Sequence, residues 1–137
     1  QRLDEVKRRV RLYGRIDTLE YLKKGGRISA ATAVVGTMLN IKPIISVQDG
    51  VVQNVGKARG AKMADKQLRE LIAKSGGIDF STPMCAAYSG LEDDNLQNFL
   101  AESTELLCGS EAPIATVGCV IGAHVGPGAV ALAFFHN

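Results

Sequence analysis

The chain has 137 residues, 46% of them hydrophobic and 22% charged, with a formal net charge of +2. A chain of this length buries roughly two-thirds of its unfolded surface, enough for one core, and its balanced charge gives no strong field for nucleic acid or an anionic membrane. Aromatic residues make up only 5% and Trp is absent, which argues against base-stacking platforms. No apolar run has bilayer-spanning length, so no stable membrane insertion is expected.

The chain opens at Gln1 directly into Leu3-Asp4-Glu5-Val6-Lys7-Arg8-Arg9-Val10, with no signal-peptide pattern, and reads as a piece of something longer. Helical spacing is predicted to about Tyr13. Lys7, Arg8, Arg9, Arg11 and Arg15 crowd this end and are expected on a solvated helix face. Contact with duplex phosphates through Lys7, Arg8 and Arg11 is the disfavoured reading, so no nucleic-acid partner is expected.

Asp17 is expected to cap a short helix, Thr18 to Lys24, that Gly25-Gly26 terminates. Ser29 would cap a small-residue helix, Ala30 to Leu39, containing Ala31, Ala33 and Gly36 and open to close approach by a ligand chain. Ile41 to Val47 and Val51 to Val55 flank Asp49-Gly50 and predict an antiparallel hairpin. Pro43 cannot donate to a ladder, so its strand lies at an edge or has Pro43 near its start.

A helix is expected from about Ala61 to Lys74, with Met63, Leu68, Leu71 and Ile72 inward and Ser75-Gly76-Gly77 as its stop. A strand near Ile78 to Tyr88 follows, its ladder broken at Pro83. Leu91 to Leu107 reads as helix, with Leu96, Phe99, Leu100 and Leu106 inward. Strands Ala115 to Ile121 and Ala129 to Phe135 then enclose a glycine loop, Gly122-Ala123-His124-Val125-Gly126-Pro127-Gly128. This order implies one α+β domain, a mostly antiparallel sheet covered by helices with a helical N-terminal segment.

Cys85, Cys108 and Cys119 are odd in number, without a CxxC pair or a His at ligand spacing, which suggests reduced core thiols in a cytoplasmic protein. Candidate polar groups are few. His124 in the glycine loop can hydrogen-bond an anion. Arg27 either joins the amides of the following helix start on a carboxylate or phosphate, or closes the glycine corner by bonding carbonyls. Lys57 and Arg59 are expected on an exposed rim. Gly50 to Lys57 has the wrong spacing for a phosphate loop, with Ala58 where a metal-binding hydroxyl would stand, and GxGxxG, HExxH and GxSxG patterns are absent. No cofactor or metal is expected.

Thr18 to Ser29 with its Leu-Lys-Lys-Gly-Gly-Arg-Ile-Ser core, Leu39 to Ile45 with Asp49-Gly50, Lys57-Ala58-Arg59, and Ile121 to Gly128 are four ordered motifs spanning nearly the whole chain. Together they resemble the C-terminal domain of the DegV family. The resemblance implies a two-domain protein holding a long-chain fatty acid between this domain and its own N-terminal one. It further implies that a separate fatty acid kinase subunit phosphorylates the bound carboxylate, so that this chain belongs to a binding subunit and not an enzyme.

On that resemblance Arg27, His124 and Gly126 would line the head-group site, and Ile28, Ala31, Val35, Leu39 and Ile45 the acyl-chain pocket. Lys57 and Arg59 would meet the kinase subunit or the new phosphate. With the N-terminal domain outside this chain, an isolated domain would expose an apolar patch and form a homodimer or capture lipid. The alternative function is an acyl- or phosphoryl-transfer domain using His124 as general base.

Overall fold

A computed structural model describes residues 2–28 and 40–137. Ser29 and the expected helix carrying Ala31, Val35 and Leu39 lie outside the described residues. The elements in order are α1 (Arg2–Val6), β1 (Val10–Arg15), α2 (Glu20–Lys24), β2 (Ile41–Gln48), β3 (Val51–Arg59), α3 (Ala61–Lys74), β4 (Cys85–Tyr88), α4 (Asp94–Ala101), β5 (Ile114–Thr116), α5 (Cys119–Val125) and β6 (Val130–Phe135).

The six strands form one sheet in the order β3-β2-β1-β6-β4-β5, antiparallel throughout except for the β4–β5 pair. The α+β expectation therefore holds. The hairpin folds where Asp49 and Gly50 take φ of 50° and 76°, the positive angles a tight turn between twisted strands requires. Pro43 is near the start of an interior strand, opposite Lys57, one residue beyond the last registered pair between β1 and β2.

Helix α3 matches its predicted bounds because Ala64, Leu68 and Ile72 recur every four residues and are fully buried. Met63 is a correction: it is 57% exposed, on the opposite side of that stripe. Leu68 and Ile72, with Leu96 and Phe99 of α4, cover Tyr13, Ile44, Val130, Leu132 and Phe134 on one sheet face. The rings of Tyr13 and Phe134 stack there with centroids 6.3 Å apart.

The other face carries a smaller cluster of Ile16, Leu19, Leu22, Ile45 and Ala129. By strand register it continues through Gly14, Ala131, Ala133, Cys85 and Ala87, side chains small enough for a close second layer.

Several boundaries differ from expectation. The N-terminal helix stops at Val6 and a short 3-10 turn (Lys7–Arg9), and Val10–Arg15 forms a central strand because it has β2 on one side and β6 on the other. Only Ile78 and Cys85–Tyr88 of the expected strand pair with β6 or its end, Ile78 through a single bridge to His136. Helix α4 ends at Ala101, and turns continue to Gly109. The expected strand Ala115 to Ile121 is strand only at Ile114–Thr116, and its second half begins helix α5. All three cysteines are free, but Cys108 and Cys119 are exposed and Cys85 only half-buried, so they are not core thiols. Among the described residues no helix is long and apolar enough to cross a membrane.

Candidate functional site

Strand alternation gathers the candidate residues at one end of the sheet. β1, β3, β4 and β5 finish there, while β2 and β6 begin there. Arg15, the α2 corner, Arg59, Ser89 and the segment from Val117 to Gly128 all belong to this end. The cations Lys7, Arg8 and Arg11 are at the opposite end, around a cleft that includes Val47 to Gly50. Lys7 pairs there with Asp4, and Arg11 bonds the carbonyls of Arg8 and Val10.

Helix α2 has no side-chain cap. Instead of capping, Asp17 accepts from Lys42 at 3.1 Å and from Arg15 at 3.5 Å, while the Thr18 hydroxyl accepts the Glu20 amide at 3.2 Å. Leu19 and Leu22 bury against Ile16 and Ile45 and fix the helix on the sheet. Its C-terminus closes in a Schellman arrangement: Gly26 takes φ 68° and donates to Lys23, and Arg27 donates its amide to Leu22.

Three of the predicted residues meet at this corner. The exposed Arg27 side chain donates through Nη1 to the Gly25 carbonyl at 2.8 Å, the corner-closing bond of the two readings offered for it. The His124 imidazole lies directly on Gly25, where any Cβ would overlap Nδ1. The Tyr21 ring packs over Gly126, where an added Cβ would stand 2.5 Å from the ring.

His124 is in the last turn of α5 and not in an open loop, a correction that follows from backbone bonding. Gly122 donates to Gly118 at 2.8 Å and Gly126 to Gly122 at 2.9 Å, and only at Gly126, with φ 74°, does the helix end. Among the described residues no side chain hydrogen-bonds the His124 ring, and no group of three or more His, Cys, Asp or Glu could hold a metal.

Ile45 is buried in the smaller cluster, and Ile28, Val52 and Val125 pack half-buried against it. Lys57 and Arg59 are exposed on β3, the sheet edge, as expected, with Arg59 at its end.

Arg15 is the polar residue at this end that sequence reasoning misplaced. Grouped with solvated cations, it is 1% exposed, with Nε 2.9 Å from Asp65 Oδ1 and Nη1 3.1 Å from the Gly128 carbonyl. Its interior place follows from β1 being central and Arg15 facing α3. The acidic position Asp65 on the buried stripe between Ala64 and Leu68 was the available signal.

Comparison with known proteins places the chain in a family. A DegV domain-containing protein of Halalkalibacterium halodurans is 32% identical over 133 residues, covering 97% of this chain and 47% of the relative. The chain thus spans about half the length of the curated relatives it matches. Among solved structures, a DegV family protein from Thermus thermophilus described as binding fatty acid is 30% identical, with a TM-score of 0.75 over 99% of this chain and 49% of its own. The Streptococcus pneumoniae Fatty Acid Kinase (Fak) B3 protein, loaded with linoleic acid, has the same fold at 17% identity, with a TM-score of 0.84 over 99% of this chain and 48% of its own. A family model described as "Uncharacterised protein, DegV family" matches residues 1–137. The chain belongs to the DegV family.

Proposed function

We propose that this chain supplies one half of a long-chain fatty-acid site, with the carboxylate at the α2–α5 corner and the acyl chain against the smaller apolar cluster. The observation that carries this reading is the meeting of Arg27 and His124 at Gly25, beside the half-buried Ile28 and Val125. A guanidinium and an imidazole on glycine backbone suit a small anion, and the neighbouring Ile45, Ile28 and Val125 suit methylenes, each worth about 0.8 kcal/mol when buried. The Thermus thermophilus relative, at 30% identity, is itself described as a fatty-acid binder. The expected Ala31, Val35 and Leu39 would extend the pocket.

The finer reading is a carrier in a cytoplasmic two-part system. A carboxylate oxygen would attack the γ-phosphorus of ATP on a separate kinase subunit, releasing ADP and leaving an acyl phosphate. Lys57 and Arg59, exposed at the same end of the sheet, would meet the kinase or the new phosphate. The remaining head-group contacts would come from the protein's own N-terminal domain.

Organic extraction of the full-length protein purified from bacteria, followed by mass spectrometry, should release a long-chain fatty acid. Repeated ligand-free preparations would count against the site. Substituting Lys57 and Arg59 by Ala should leave the extracted fatty acid in place and depress acyl phosphate formation with the kinase subunit.

A further inference from the structure

No residue of helix α5 is buried, and Val120 and Ile121 are largely exposed. Its packing is confined to the side that meets α2, where the His124 ring lies on Gly25 and Val125 packs against the smaller cluster. Its C-terminal end is held differently, through the turn Gly126-Pro127-Gly128. The Ser89 hydroxyl donates to the Gly126 carbonyl at 2.5 Å and accepts the Ala129 amide at 3.0 Å. Gly128 donates its amide to the Ser89 carbonyl at 2.9 Å. The Gly128 carbonyl then accepts from two sides, Asn95 Nδ2 at 3.2 Å and Arg15 Nη1 at 3.1 Å. Beyond the turn an open cleft of about 460 Å³ gives it little packing on that side.

Arg15 also donates to Asp65, 5% exposed, through Nε at 2.9 Å and Nη2 at 3.4 Å, and its Nη1 makes the longer 3.5 Å contact with Asp17. A buried ion pair is generally no more stabilising than apolar residues of equal volume, so stability alone does not explain a charge at this place. What arginine adds is a planar fork that reaches two acceptors in one fixed geometry. Here the acceptors are a carboxylate on α3 and a carbonyl of the turn behind His124. Helix α3 itself starts just after Arg59 and Gly60.

We infer that the Arg15–Asp65 pair is a positioning device that fixes the Gly126–Gly128 turn against α3, and thereby sets the His124 imidazole relative to Gly25 and the Arg59 end of β3. Its bearing on ligand rests on the fatty-acid reading given above. The positioning itself does not.

The test is the double variant Arg15→Met/Asp65→Leu in the full-length protein, which removes both charges, keeps the core filled and deletes the bond to Gly128. The expected result is a thermal midpoint equal to or above that of the parent, displaced and broadened imidazole resonances for His124, and affinity for oleate about tenfold weaker. Asn95→Ala, which takes the other donor from the same carbonyl at a half-buried position, should move the His124 resonances in the same direction by less, and decides the matter if the double variant does not fold. Unmoved His124 resonances in the folded variants overturn the inference. A parent that binds no oleate overturns the fatty-acid reading instead, and leaves the resonances to decide the positioning.

Discussion

Under α3 and α4 the sheet is closed by Leu68, Ile72, Leu96 and Phe99, fully buried against Tyr13, Val130, Leu132 and Phe134. The end where β1 finishes and β6 begins is held instead by Arg15, Ser89, Asn95 and Asp17, most of them bonded to glycine backbone. The first region has side chains that fit only one another. The second carries an imidazole laid on Gly25, an exposed guanidinium and half-buried apolar groups. On the proposed fatty-acid reading, stability and recognition reside in different parts of one sheet, and substitutions in the two should separate along that line.

The largest loss is expected where the regions join. Arg15→Ala leaves Asp65 buried without its partner and should cost roughly 3–5 kcal/mol in urea denaturation. Leu68→Ala, well inside the apolar region, should cost roughly 2–5 kcal/mol by the same measurement. The folded fraction of that variant should extract with the parent's complement of fatty acid, and a depleted extract would show that the regions are not separable.

Gly25→Ala turns the comparison round. Gly25 has φ −78° and ψ −2°, a conformation any residue adopts, so the backbone tolerates the methyl group and stability should change by less than about 1 kcal/mol. The methyl would nevertheless occupy the place of the His124 ring. Fatty-acid affinity should fall about tenfold, on the scale of one charged hydrogen bond. Unchanged affinity in a fluorescence competition assay would remove His124 from the head-group site.

The smallest effect is one of pH, remote from the site. Asp79 accepts from the Ser81 hydroxyl at 2.6 Å, the Ser81 amide at 3.0 Å and Arg9 at 2.5 Å. These contacts, Ser81 foremost, hold its carboxyl below the ordinary value of 3.8. Its contribution to folding is therefore full above that value and is lost as pH falls through the lowered one. Asp79→Asn should flatten the acid limb of a stability–pH curve slightly and leave the neutral region and ligand loading as they were.

Much of this contrast was legible before the fold was known, but unevenly. The Arg27, His124 and Gly126 grouping was reachable from motif resemblance, and the structure brings these residues to one glycine corner. Lys57 and Arg59 could be read as rim charges following the hairpin, but not as strand residues, since β3 continues past the expected Val55 to Arg59. Arg15 could not be placed, because its neighbours along the chain are other cations and its partners, Asp65 and Gly128, are 50 and 113 residues away. Helix α5 was hidden for a similar reason. Val117 to Ile121 has the β-branched content of a strand, but the ladder with β4 ends at Thr116, just before it.

By itself the sequence determined what depends on short-range physics. The four-residue apolar repeat specifies α3, Asp49-Gly50 supplies the positive angles of the hairpin, and Gly25-Gly26 and Ser75-Gly76-Gly77 end helices whose last carbonyls need partners. Tertiary structure decided what depends on distant neighbours. Val10–Arg15 is a strand because β2 and β6 offer ladders on both sides, and Arg15 is buried because α3 brings a carboxylate to meet it. The His124 ring can lie against Gly25 because that residue has no side chain to keep it away. Local propensities are worth tenths of a kcal/mol per residue, and a sheet ladder or a buried charge pair outweighs them.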